Sequence, residues 1–211
     1  MVRSGYLLVV EDDPDILKLL DTTLTFRGYR VVTARNGREG LEIIQSEHPA
    51  IVIADIMMPQ LDGFGLVHRL RINPETRAIP VVFITATFVS RADRDFALDI
   101  GATRFIQKPV DLENFLEMVA ELLAQDALTE ELEPLDEYVF YLGYRRRLEA
   151  KLEQKNKQIA RDELILGINQ KVEDGEHDFQ VSIHQARRER EELIDLLQQV
   201  EGQLVSIRKP Q

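Results

Sequence analysis

Five short runs enriched in apolar residues recur along the first 125 residues, and stretches with helical periodicity separate them. The runs are Tyr6 to Val10, Arg30 to Ala34, Ile51 to Asp55, Pro80 to Thr85 and Thr103 to Gln107. Apolar runs of this length bounded by turn signals read as buried strands. Pro14 to Arg27 carries Ile16, Leu17, Leu19, Leu20, Leu24 and Phe26 at helical spacing and is closed by Gly28. Leu41, Ile43 and Ile44 mark a second helix ending near His48-Pro49, and Phe64, Leu66, Val67 and Leu70 mark a third. Arg91 to Ile100, stopped by Gly101, is a fourth, and Leu112 to Ala124 a fifth. Strand and helix alternating five times predict a parallel sheet covered on both faces.

In such a sheet the carboxyl ends of the strands share one edge, where open α/β folds keep their ligand sites. Four of the five strands end there in polar groups: Asp12 and Asp13, Asp55, Thr85, and Lys108. The three consecutive acids Glu11, Asp12 and Asp13 repel one another, so a fold that gathers them usually holds a cation. An oxygen-rich cluster suits a hard ion, Mg²⁺ before Zn²⁺. The same segment also reads as a capped helix start, because Asp before Pro is an ordinary N-cap signal.

The segments VVEDDP, IADIMMPQLDG, VFITA and FIQKPV resemble the receiver domain of bacterial two-component response regulators, over residues 1 to about 125. The resemblance implies a flavodoxin-like five-stranded sheet of order 2-1-3-4-5 with five helices. It further implies that Asp55 accepts a phosphoryl group from a sensor histidine kinase. Mg²⁺ would be held by Asp13 and Asp55 directly, by Asp12 through water, and by the backbone carbonyl of Met57. Lys108 would pair with the phosphoryl oxygens, and its peptide bond to Pro109 is cis in the family. Thr85 resembles the switch hydroxyl and Phe105 the switch aromatic, so the face of the fourth helix, fifth strand and fifth helix would respond to phosphorylation. Met57, two residues after the acceptor, cannot orient a water by hydrogen bonding, which favours slow self-hydrolysis; the small Thr87 pulls the other way. Phe105 lacks the hydroxyl of the more usual tyrosine. The receiver itself is a signalling phosphoacceptor rather than an enzyme acting on a separate substrate.

The second half reads differently. Residues 126–135 form an acidic connection, and residues 136–211 carry two long helical patterns. In the first, Tyr138, Arg145, Leu152, Ile159 and Leu166 recur every seven residues, supported by Tyr141, Leu142 and Leu148. A polar interruption at 170–178 centres on Asp174-Gly175. A cleaner heptad follows: Phe179, Ala186, Leu193, Val200 and Ile207 in one series, Ile183, Leu197 and Leu204 in the other, with Arg190 as the exception. Two such helices across a short turn predict an all-α antiparallel hairpin, each arm on the order of 45 Å long. So thin a unit calls for a partner, most simply a second copy. Homodimerisation is therefore expected through these helices, through the switch face, or both.

A DNA-binding output is the alternative, using the basic face from Arg145 to Arg161. However, residues 126–211 hold 13 basic against 19 acidic residues, and Glu149 and Glu153 interrupt the basic stretch. His177 and His184 lie near the turn without a phosphotransfer motif around them. The net charge of -11 disfavours nonspecific attraction to nucleic acid or anionic membranes. The absence of cysteine fits a reducing compartment, and no apolar run reaches 18 residues. These features predict a soluble, cytoplasmic protein without membrane insertion.

Overall fold

A computed structural model describes residues 5–124, 135–169 and 176–208. The linker expected at 126–135 lies outside the described residues except for Leu135, as does the turn around Asp174-Gly175. The side chains of His177 and Phe179 lie outside them as well. The chain divides into two compact units, Met1–Leu135 and Asp136–Gln211.

The first unit runs β1 (Leu7–Val10), α1 (Pro14–Phe26), β2 (Val31–Ala34), α2 (Gly37–Ser46), β3 (Ile51–Ala54), α3 (Gly63–Ile72), β4 (Val81–Thr85), α4 (Arg91–Asp99), β5 (Arg104–Gln107) and α5 (Leu112–Ala124). All strand pairs are parallel, in the order β2-β1-β3-β4-β5. The alternating pattern predicts the parallel sheet, and the strand order is the flavodoxin-like one that the receiver resemblance implies. The central strands β1, β3 and β4 are buried along their whole length, whereas the edge strands β2 and β5 are only partly covered. That difference explains why the central runs are almost wholly apolar, with Thr85 at the end of β4 the exception, while β5 tolerates Arg104 and Gln107.

Alternate residues of each strand serve opposite layers. Leu7, Val9, Ile51, Ile53, Val82 and Ile84 pack with Leu20 and Leu24 of α1 and with Phe115, Val119 and Leu122 of α5. On the other face Phe64 of α3 meets Phe83, Phe88 and Phe96 edge-on, at centroid distances of 5.6, 5.2 and 5.1 Å. These contacts anchor the β4–α4 loop through Phe88, which is fully buried.

Two buried polar side chains lie in this layer. Arg71 near the end of α3 donates from Nε and Nη2 to the Gly101 carbonyl (3.1 and 2.6 Å) and from Nη1 to the Arg77 carbonyl (2.9 Å). Burial lowers its pKa to about 10, so it remains charged at neutral pH. Gly101 has φ +99° and sits against this guanidinium, which leaves no space for a side chain there. Replacing Arg71 by Leu strips two partly buried carbonyls of their donor, with an expected loss of about 2–3 kcal/mol in the unfolding free energy of the receiver unit, read from denaturant titration.

His68 on α3 is likewise buried, and desolvation, with Arg69 nearby, holds its pKa down at about 4. A folded value below the unfolded one means the unfolded chain binds the proton first. The stability that neutral His68 contributes is therefore present above about pH 6.5 and lost as pH falls toward 4. Between pH 7 and pH 4.5, wild type should lose about 1–3 kcal/mol more than His68→Gln in urea titrations; parallel curves would exclude this assignment.

The second unit consists of α6 (Glu137–Asn169) and α7 (Glu176–Arg208). Their contacts run antiparallel: Asp162 meets Ser182, Glu163 meets Arg187, and Lys155 pairs with Glu189. The α7 seam is the one its heptad predicts, with Ile183, Ala186, Leu193, Val200 and Leu204 buried. The α6 seam is not. Of the expected series only Ile159 is buried, and Tyr138, Arg145, Leu152 and Leu166 stay half-exposed. The supporting residues Tyr141 and Leu148 are buried and Leu142 is half-buried; Tyr144, Lys151 and Asp162 are buried with them, so the inward face of α6 is a partly polar stripe. Among the described residues no helix is long and apolar enough to cross a membrane.

Candidate functional site: an acidic pocket over the carboxyl edge of the sheet

Backbone pairing at the carboxyl edge determines which side chains meet. The Asp55 N–H donates to the Val10 carbonyl (2.9 Å), so the residue after β3 stands beside the residues after β1. The Lys108 N–H donates to the Thr85 carbonyl (2.9 Å), which brings the end of β5 to the end of β4. As a result Lys108 Nζ reaches both Asp55 Oδ2 (2.7 Å) and Glu11 Oε2 (2.9 Å). The Lys108–Pro109 peptide bond is cis. Asp55 Oδ1 accepts from the Ile56 N–H at 2.5 Å.

Carboxylate oxygens of Glu11, Asp12 and Asp55 lie within 4.8 Å of one another. Glu11, rather than Asp13, completes this group. The Asp13 carboxylate is exposed and already engaged: its Oδ1 accepts from the N–H groups of Asp15 (2.9 Å) and Ile16 (3.1 Å), capping α1. The helix-start reading of Asp13-Pro14 therefore holds for Asp13, while its two predecessors face the pocket.

The pocket is electrostatically loaded. Burial, reinforced by Asp55, pushes the Glu11 pKa up to about 7 although Lys108 opposes the shift. Burial also raises the Asp12 pKa from its ordinary value. For Lys108, burial alone would lower the pKa, but Asp55 and then Glu11 outweigh it and hold the ammonium above its ordinary value. Three carboxylates against one ammonium leave an excess of negative charge in a partly dry site. A divalent cation with oxygen preference would offset it, and this donor set fits such an ion.

The remaining expected residues are placed as follows. Thr85 is fully buried, and its Oγ1 accepts from the Thr87 N–H at 3.2 Å. Phe105 is half-buried on the edge strand β5, and Met57 is half-buried in the β3–α3 loop. His184 lies on the hairpin, exposed, its Nδ1 2.8 Å from the Gln180 carbonyl. The basic stretch of α6 is largely matched with acids: Arg145 leans toward Glu149, Lys157 pairs with Glu153, Arg161 with Asp162, and Lys155 with Glu189.

Two residues of the site take their roles from the structure. Glu11 is one of the three acids expected to gather round a cation, but only the β1–β3 pairing sets it beside Asp55 and Lys108. Gly63 opens α3 directly beneath the site, its N–H donating to the Ile56 carbonyl. A Cβ there would stand 2.4 Å from the Asp55 carbonyl oxygen and 2.8 Å from Ile56 Cα. The signal was Asp62-Gly63 ahead of a helical pattern: Asp62 caps α3 by accepting from the Gly65 N–H (2.8 Å). Gly63→Ala should cost about 1–3 kcal/mol and displace the Asp55 backbone, visible as amide shift changes at Asp55 and Ile56; unchanged shifts and stability would contradict the close packing.

Fold and pocket together define a flavodoxin-like α/β domain with an anionic site at its carboxyl edge. The family model of the response regulator receiver domain matches residues 7–120. The probable transcriptional regulator ycf27 of Cyanophora paradoxa is 42% identical over 108 residues, covering 51% of this chain and 44% of that protein. The transcriptional regulatory protein GlrR of Escherichia coli K12 is 32% identical over 185 residues, covering 87% of this chain and 40% of that protein. The signal receiver domain of a signal transduction histidine kinase from Syntrophus aciditrophicus superposes with a TM-score of 0.55 at 32% identity, over 62% of this chain and 98% of that one. This chain spans less than half the length of these two curated relatives. The chain belongs to the response regulator receiver domain family.

Proposed function

We propose that the protein accepts a phosphoryl group on Asp55 from a sensor histidine kinase and uses it to change how the helical hairpin associates. The observation that carries this reading is the Asp55 carboxylate, fixed between the Ile56 N–H and the Lys108 ammonium with Asp12 and Glu11 alongside. A carboxylate is a weak nucleophile, so the protein's work is alignment and charge neutralisation. One Asp55 oxygen forms a bond to phosphorus while the bond from phosphorus to the donor imidazole nitrogen breaks, its electron pair staying on the imidazole. Lys108 leaves Asp55 to meet the phosphoryl oxygens as a point charge.

Asp12 and Asp55, with the Met57 carbonyl, would hold Mg²⁺, and Glu11 would stand behind them through water; when bound, the ion screens the charge of the transferring group. Asp13 is left to its cap. In this reading Thr85 exchanges its Thr87 N–H partner for a phosphoryl oxygen and Phe105 moves inward, altering the face of α4, β5 and α5.

Acetyl phosphate with Mg²⁺ should add one phosphoryl group, detectable by intact mass and removed by hydroxylamine. Asp55→Asn should abolish this, and Lys108→Ala should reduce it strongly. Mg²⁺ should also raise the Tm of the wild type and not of Asp12→Asn, whereas Asp13→Asn should keep the response. A Mg²⁺ response lost in Asp13→Asn and retained in Asp12→Asn would reverse the ligand assignment.

A transcription regulator is the second reading, favoured by the names of the two curated relatives and by the length of the GlrR alignment. The acid partners along α6 speak against a free basic face. Salt-dependent binding to duplex DNA would support this reading, and no binding at low salt would remove it.

A further inference from the structure

The hairpin packs along one seam, and that seam is partly polar: α7 brings Ile183, Leu193, Val200 and Leu204, but α6 answers its middle and far end with Lys151 and Asp162. The apolar residues that α6 does not spend there lie on its flank. At the end of the hairpin distant from the turn, Tyr138 and Leu142 of α6 and Leu204 and Val205 of α7 wall an open groove of about 370 Å³. Val205 is 61% exposed on its wall. Two charged residues complete the lining from opposite sides, Arg145 on α6 and Glu201 on α7. Arg145 Nε is 3.5 Å from Glu149, beyond a good hydrogen bond, and Glu201 has no ion-pair partner among the described residues.

We propose that this groove is the docking surface for a second copy of the chain. The two hairpins pack as a four-helix bundle in which α6 of each lies against α7 of the other. The proposal rests on the hairpin being an association module and names the surface it uses. Self-complementarity is the argument for a second copy. Arg145 and Glu201 line the two sides of one groove, so a two-fold axis along the hairpin sets each Arg145 opposite the other copy's Glu201, twice. The same rotation places Tyr138 and Leu142 against Val205 of the copy.

Charge selects this arrangement over like helices side by side. Residues 145–161 of α6 carry seven basic and two acidic side chains, and residues 189–201 of α7 carry five acidic and one basic. Even with Glu149 and Glu153 counted against it, residues 145–161 keep a net positive charge, so pairing α6 with α6 would set like net charges together, whereas alternating the helices sets net positive against net negative. Antiparallel neighbours in a bundle then bury the leftover apolar flank with the packing of a coiled coil.

The test is the molar mass of the full chain by light scattering over a concentration series with Mg²⁺, with and without beryllofluoride. Phosphorylation of Asp55 is assayed in parallel. Wild type should reach twice 24.3 kDa in at least one of the two conditions. Val205→Glu, at an exposed position, should weaken association at least about tenfold with unchanged helical circular dichroism. Arg145→Glu alone and Glu201→Arg alone should each do the same, and mixing the two should restore a dimer, because every pair is again opposite in sign. Full dimerisation of all three variants overturns the groove as the interface while leaving the hairpin as an association module. Failure of the mixture to recover overturns the pairing of α6 with α7. A wild-type chain that stays monomeric in both conditions overturns the proposal together with the association reading, whether or not a different helix or protein occupies the groove; normal Asp55 phosphorylation in that case leaves the receiver chemistry intact.

Discussion

Negative charge concentrated at one edge of a buried sheet is the condition around which the receiver unit is organised. The pairing of β1 with β3 is non-negotiable, since both strands are apolar throughout and buried on both faces. Once they pair, Glu11 and Asp55 are neighbours in a place that solvates neither well. Burial, with Asp55 alongside, accordingly pushes the Glu11 pKa up to about 7. Lys108 offsets part of it from a third strand, and its own raised pKa shows that the carboxylates outweigh its burial. A pocket left with excess negative charge is disposed to take up a cation and then a charged group brought with it, which is the chemistry proposed for Asp55.

The surroundings keep this pocket in register. Gly63 lets the start of α3 press against the Asp55 carbonyl, and the Asp62 cap satisfies an N–H that would otherwise be orphaned there. The aromatic group around Phe64 fixes the β4–α4 loop that follows Thr85. Arg71 joins the ends of α3 and α4 through carbonyls no helix bond could satisfy. Against this frame the edge strand β5 is the least enclosed, and Phe105 sits on it half-buried. A side chain with one open side has somewhere to move, whereas those of the central strands do not.

The hairpin follows a different logic. A single helix–helix seam has no layer above or below it, so its stability rests on what the two facing stripes bury. With Lys151 and Asp162 in that seam, the hairpin spends part of its contact on ion pairs and hydrogen bonds, among them Asp162 with Ser182. Such contacts specify register more than they stabilise. The apolar flank left over on α6 is what a further pair of helices could cover.

The amino-acid sequence by itself determined the alternation of strands and helices, the parallel sheet, the polar ends gathered at one edge, and the seam of α7. Each follows from a local period: strands buried on both faces must be wholly apolar, and a helix with one buried face must repeat every three to four residues. Tertiary structure decided what depends on neighbours distant in sequence. Whether Glu11 or Asp13 joined Asp12 and Asp55 was settled by the β1–β3 pairing together with the start of α1. The need for Gly63 came from a carbonyl eight residues earlier folded back against it. The face α6 turned inward kept Tyr141, Leu148 and Ile159 of the expected stripe but not Tyr138, Arg145, Leu152 or Leu166, because a helix with apolar residues on two sides has no preferred face until its neighbour's side chains choose one. Periodicity is written in a segment, but the identity of what a side chain touches belongs to the fold.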